Sequence, residues 1–307
     1  MNEMTQHPLR FGADDALFGL LTEPLGQSPE PVACLMLNMG ANHRVGPHRV
    51  NVKLAHILAR QGVASLRFDL GGIGDSDSRQ SPSGLKTWAV RDLQAGMDAI
   101  EQALGIRQFI IAGLCSGVEH AMTTAAVDTR VVGLSLFDGF AFPGRRSRLE
   151  RTAWRAWAVL THPAFVGKTR RWLLEHALRR TPQAPLPGFF TDAVPAAVTA
   201  DWFASTMKLL SDRSVAVQLL FSGSLHVRDH GRDQLGAFVD APFARSLSYQ
   251  FMGDVDHTMC TVQGQQRYLQ AVSEWVRYQR KPQGAEQRVR VPSATRDPQI
   301  PFSPVSP

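Results

Sequence analysis

Cysteine is scarce in this chain of 307 residues: there are three, an odd number. That argues against a disulfide framework and for a reducing compartment. Long apolar runs are missing as well. No uninterrupted stretch approaches the roughly 18–20 residues that a membrane helix needs. The stretch from Met1 to Arg10 is polar and shows no apolar core of a secretory signal. The expectation is a soluble, cytoplasmic protein without a membrane span. No internal repeat is visible. The glycines after Asp69 lack a Gly-Lys-Ser/Thr pattern, which counts against a phosphate cradle for nucleotides. Basic residues occur without interleaved groove-reading motifs, which counts against nucleic acid.

What is present is an alternation of strand and helix patterns. With 44% hydrophobic residues the chain can build one large core, or a core plus a cap. Short apolar runs at Ala16–Leu21, Val32–Leu37, Val63–Phe68, Gln108–Ala112, Val131–Phe137, Val215–Phe221 and Ser246–Phe251 predict strands. Helical spacing at Val50–Gln61, Trp88–Leu104, Val118–Ala126 and Val262–Tyr278 predicts helices between and after them. Such βα alternation implies an α/β protein, a mostly parallel, doubly wound sheet with helices on both faces.

The rhythm breaks between Gly139 and about Thr206, a stretch rich in Trp and Arg that reads as an inserted helical cap. Helical pieces are expected near Leu149–Leu160 and Gly167–Arg180. The expected organisation is a core of residues 1–138 and 207–280, a cap of 139–206, and a disordered tail of 281–307. Net charge is +6 overall, but Arg145 to Arg180 alone carries +8, leaving about −2 for the rest. One basic surface is therefore expected, suited to an acidic partner.

The most informative segment is Phe109-Ile110-Ile111-Ala112-Gly113-Leu114-Cys115-Ser116-Gly117-Val118. A strand pattern ends in Gly-x-Cys-x-Gly and a helix pattern follows at once, the layout of a nucleophile elbow. Cys115 is then the candidate nucleophile, and a helix N-terminus behind it favours its thiolate. Of ten histidines, His257 is the candidate base, because it follows the last strand and lies on the same sheet rim as the elbow. The acid is open between Asp138, at the end of Val131–Phe137, and Asp229, eight residues past Phe221, with Asp138 slightly preferred. Oxyanion donors are expected from the backbone of Ser116 and from Met39 or Gly40.

With these residues in place the chain resembles the α/β-hydrolase superfamily over about residues 15 to 280. It is most similar to a bacterial subgroup that includes the exosortase A system-associated hydrolases. The likeness rests on Asn42-His43-Arg44-Val45-Gly46-Pro47-His48-Arg49, Leu66-Arg67-Phe68-Asp69 with Gly72-Ile73-Gly74-Asp75-Ser76, Gly113-Leu114-Cys115, and Asp256-His257-Thr258. It implies an α/β-hydrolase fold and a Cys-His hydrolase or acyltransferase, with Cys115 and His257 carried over. Those relatives often carry an Asp soon after Ser-Gly on the penultimate strand; here Ser224 and Leu225 follow Ser222-Gly223.

Arg44, His48 and Arg49 are candidates to hold an anionic substrate group, against the plainer reading of a capped, solvated helix start. Asp69 and its glycines read as structural. No metal or cofactor is expected. A cysteine nucleophile gives a thioester acyl-enzyme, and the basic cap matches acyl donors carried by coenzyme A or an acyl carrier protein. The expected activity is thus a thioesterase, hydrolase or acyltransferase on an activated acyl group. An esterase or amidase for a small uncharged substrate and a non-catalytic scaffold remain as alternatives.

Overall fold

The structure is a computed structural model. It describes residues 4–26, 28–37, 40, 42–77, 85–144, 146–147, 149–150, 152–153, 196–223 and 229–279. Met39, the second expected cap helix, most of the first and the expected tail lie outside the described residues.

Among the described residues eight strands form one sheet: β1 (Met4–Phe11), β2 (Leu17–Pro24), β3 (Val32–Leu37), β4 (Ser65–Asp69), β5 (Gln108–Leu114), β6 (Val131–Phe137), β7 (Ala216–Ser222) and β8 (Ser248–Met252). Their order is β1-β2-β4-β3-β5-β6-β7-β8. β1 pairs antiparallel with β2, and β2 with β4; every later pairing is parallel. The strand order reverses around β3, so the carboxyl ends of β3 and β5 flank a crevice where α/β sheets place their sites.

Each apolar run becomes a strand because two helical layers bury both faces of the sheet. All six residues of β3 are buried. On one face α1 (Val50–Arg60) and α5 (Val262–Gln279) contribute Leu54, Leu58, Tyr268 and Val272 to a core that includes Met36 and Ile110. On the other, α2 (Leu85–Leu104), α3 (Gly117–Val127) and α4 (Ala196–Asp212) contribute Leu93, Met97, Met122 and Phe203 around Leu35 and Ile111. α1 stops where Gly62 takes a positive φ of 87° and Val63 N–H turns back to Leu58 O at 2.9 Å, a left-handed helix end.

Two elements escape the sequence patterns. β1 is an edge strand, with four residues partly buried, three exposed and only Phe11 buried, so it carries no apolar alternation. Its Pro8 is tolerable only at such an edge. α4 begins at Ala196, inside the expected cap, yet its Phe203 is buried beside Met207 and Leu210. The core therefore continues across the boundary expected at residue 206. Phe203 also packs against Phe140 and Phe142, which leave β6, at ring separations of 6.0 and 4.9 Å. No helix of the described residues is long and apolar enough to cross a membrane.

Candidate active site

Cys115 stands at the turn between β5 and α3 with φ 52°, a left-handed backbone that costs a non-glycine residue roughly 1–3 kcal/mol. Two bonds hold it there. Its N–H donates to Phe137 O on β6 at 2.9 Å, and its carbonyl accepts from Val118 N–H at 3.1 Å. The turn is so tight that a Cβ on Gly113 would lie 2.9 Å from the Gly117 carbonyl oxygen. The expected elbow is therefore the observed conformation, and its strain goes with holding the half-buried thiol at the sheet rim.

The neighbouring strand end supplies the partner pair. Asp138 follows β6, also left-handed at φ 50°, and its side chain is fully buried. One carboxylate oxygen accepts the Ser222 N–H at 2.6 Å; the other accepts from His257 Nδ1 at 2.8 Å. A proton on Nδ1 places the lone pair of the neutral ring on Nε2, the tautomer a base needs. The His257 ring lies nearly parallel to Phe137 at 6.5 Å, and Phe137 is itself braced edge-on by Tyr268 at 5.2 Å.

Asp256 fixes the turn that carries His257. Its carboxylate accepts the Thr258 N–H at 3.0 Å, the Thr258 hydroxyl at 2.8 Å and the Cys260 N–H at 2.8 Å. Partial burial opposes its ionisation, but these donors outweigh burial and hold the carboxyl below the usual carboxylate range. Asp-x-Thr is a side-chain-to-backbone turn signature, and that signal was available in the sequence.

The structure separates the two acid candidates. Asp229 lies elsewhere, accepting the Tyr249 hydroxyl at 2.5 Å and the Asp233 N–H at 2.7 Å. Burial and the Asp229 carboxylate push the Tyr249 hydroxyl well above its usual range. Asp138 is the carboxylate paired with the histidine. The carboxylate at His257 thus comes from the end of β6 rather than from the loop after Ser222-Gly223, and the Ser222 N–H donates to it at the neighbouring strand end. Gly223 permits this close approach, since a Cβ there would sit 2.1 Å from the Gly253 carbonyl oxygen. Gly223→Ala should cost about 2–3 kcal/mol and pull the β7 and β8 ends apart. Thermal melts should then show a loss of roughly 3–5 °C.

Of the expected oxyanion donors, Ser116 directly follows the elbow, and its N–H interacts favourably with the Cys115 sulfur. Gly40 is near, but its N–H donates to the Ser116 hydroxyl at 2.6 Å and is engaged there. Arg44, expected at the substrate, is buried and committed internally. Its backbone N–H and guanidinium bind both oxygens of Asp69, and Nη1 lies 2.7 Å from Asp75 and 2.8 Å from His43 Nε2. The guanidinium also stacks over Phe18, 4.5 Å from the ring centre. His43, Asp69 and Asp75 have the donor set of a cation site, and Arg44 occupies its middle. This network fastens the loop before α1 to β4. His48 and Arg49 are in left-handed conformations at φ 48° and 62°, and both are exposed.

Burial of the thiol works against the thiolate that a helix N-terminus favours. Burial pushes the Cys115 pKa up, the Ser116 N–H partly opposes this, and the Asp138 charge adds to the rise. Native labelling with iodoacetamide across pH, read by peptide mass, should therefore find the Cys115 midpoint above the free-thiol value of about 8.5. Exposed Cys260 should label first. Cys34, fully buried and pushed up to about 12 by that burial, should label only on unfolding. A Cys115 midpoint below the free-thiol value would contradict a thiol held protonated by burial.

A parallel sheet in this order, led by two antiparallel strands and carrying its elbow after β5, is the α/β-hydrolase fold. Solved structures share it at low identity. One is a serine hydrolase without a lid from Xanthomonas campestris (13% identity, 91% of this chain and 96% of that one, TM-score 0.53). Another is an esterase from Pyrococcus furiosus (12% identity, 90% and 91%, TM-score 0.56). A third is the esterase domain of a Rhodothermus marinus protein (14% identity, 90% and 98%, TM-score 0.51). No family model and no curated protein matches the chain.

Proposed function

We propose that the protein is an acyl-transfer enzyme of the hydrolase type, with Cys115 as nucleophile, His257 as base and Asp138 as the acid that orients it. The observation that carries this reading is the pairing of a left-handed Cys115 elbow with a buried Asp138–His257 contact of 2.8 Å, on the ends of adjacent strands. Because the thiol is held protonated, His257 Nε2 takes the Sγ proton as sulfur attacks the acyl carbon. The carbonyl π pair moves to oxygen, where the Ser116 N–H offers a hydrogen bond. Collapse expels the leaving group, which takes the proton from His257, and leaves a thioester. Water or an acceptor then attacks that thioester, again giving its proton to His257.

The substrate we favour is an acyl group activated on coenzyme A or an acyl carrier protein. The +8 charge between Arg145 and Arg180 supports it. A second reading, hydrolysis of a small uncharged ester, is favoured by the internal neutralisation of Arg44 and by the esterases that share the fold. The scaffold reading was suggested by an uncertain acid, and the Asp138–His257 contact of 2.8 Å supports a catalyst instead.

Intact-protein mass spectrometry after mixing with acyl-pantetheine thioesters, and separately with uncharged aryl esters, tests the proposal. The expected result is a mass gain equal to the acyl group, mapped to the Cys115 peptide, from the thioesters. Adducts from the esters alone would select the second reading. No adduct and no turnover with either class would overturn both.

A further inference from the structure

β4 crosses the sheet with Ser65, Arg67 and Asp69 on the face that α1 covers, since Leu66 and Phe68 belong to the opposite core. Arg67 is only 6% exposed. A guanidinium has five N–H donors and no way to shed its charge, so burying one without an anion is costly. Yet Arg67 makes no ion pair among the described residues, and its Nε is enclosed without a partner. Two residues away on the same face, the Ser65 hydroxyl is enclosed without a partner as well.

The nearby carboxylates are already used. Asp69 binds the Arg44 backbone and guanidinium and the Asp75 N–H, and Asp75 binds Arg44 and His43. The other charges that act on Arg67 are mostly positive. The Arg44 and Arg49 charges act on it, opposed only by Asp69, and burial adds to the cost of its charge. From α1, His56 feels Arg67, Arg60 and Arg49, and burial with those charges lowers its pKa. Neutral groups lie beside them: Gln6 of β1 donates to His56 Nε2 at 3.3 Å, and Thr22 and Leu20 of β2 and Cys34 and Met36 of β3 pair with Ser65 and Arg67 in the sheet register.

We propose that Arg67 and Ser65, with Arg49 and His56, form a binding site for one oxyanion, a phosphate or a carboxylate, between β4 and α1. Arginine suits this because its planar fork matches both groups in two-point contact. The half-buried His56 and Gln6 mark the side open to solvent, beside the edge strands. Two strand spacings and three residues of register separate Arg67 from Cys115, roughly 14 Å between backbones. The bound group is thus distinct from the acyl carbon, and the site does not rest on the proposed activity.

The test compares thermal unfolding of the full chain in phosphate, acetate and chloride at equal ionic strength, for wild type and Arg67→Met. Phosphate or acetate well above its dissociation constant should raise the wild-type Tm by roughly 5 °C and leave Arg67→Met unmoved. Whichever anion acts identifies the class. In chloride, Arg67→Met should melt above wild type, because an unpaired buried charge is gone. Equal gains in both proteins would show a general effect of excluded salt and overturn the site. Should the variant not fold, the His56 proton resonance of wild type decides alone. Its titration midpoint should rise by roughly one unit in phosphate or acetate over chloride. A midpoint that does not move would overturn the proposal.

Discussion

Cys115→Ala should abolish the acyl adduct and lower kcat by about a million-fold, the scale at which a nucleophile of a catalytic triad fails. The fold should survive, because alanine inherits the same left-handed backbone and the same bonds to Phe137 and Val118. Its melting temperature should stay within a few degrees of wild type. Cys115→Gly extends the argument. Glycine adopts φ 52° without the Cβ penalty, so this variant should exceed Cys115→Ala in stability by about 1 kcal/mol while being equally inactive. Denaturant melts of the two variants measure that difference. If Cys115→Ala still turned over substrate at a substantial rate, the elbow would be a structural turn and the nucleophile would lie elsewhere.

Asp138→Asn should lower kcat by about 10⁴-fold, with Asp229→Asn changing it only slightly. The reasoning concerns a single proton. The amide that replaces the Asp138 carboxylate can still accept the Ser222 N–H through its carbonyl oxygen. Its NH₂ then meets His257 Nδ1, and to avoid facing two donors the ring must carry its own proton on Nε2. That is the atom that has to receive the thiol proton. Asp229→Asn instead disturbs the Tyr249 contact and the turn at Asp233, so its effect belongs in the melting temperature. Steady-state kinetics of both variants on one substrate separates the two roles. A comparable loss in both, or a loss in Asp229→Asn alone, would overturn the assignment of Asp138.

Much of this arrangement was readable before any coordinates. β3 and β6 match their predicted limits because buried parallel strands are unbroken apolar runs bounded by polar or turn-forming residues. The elbow was readable because Gly113-Leu114-Cys115-Ser116-Gly117 combines a cramped turn with a reactive side chain. His257 was readable from its place after the last strand. β1 was missed since an edge strand half open to water needs no apolar alternation. α4 was missed because its start fell in a stretch read as a cap, where composition says little about which face packs on the core.

Local sequence, then, determined the alternation of strands and helices, the strained elbow and the identity of the thiol and imidazole, because each depends on neighbours a few residues apart. Only the tertiary structure decided which carboxylate serves the histidine. Asp138 and His257 are 119 positions apart and meet because β6, β7 and β8 lie side by side in the sheet. It decided too that Arg44 is neutralised by Asp69 and Asp75, and that Arg67 is left without a carboxylate. A charge takes its role from the charges that folding brings against it, and those come from distant parts of the chain.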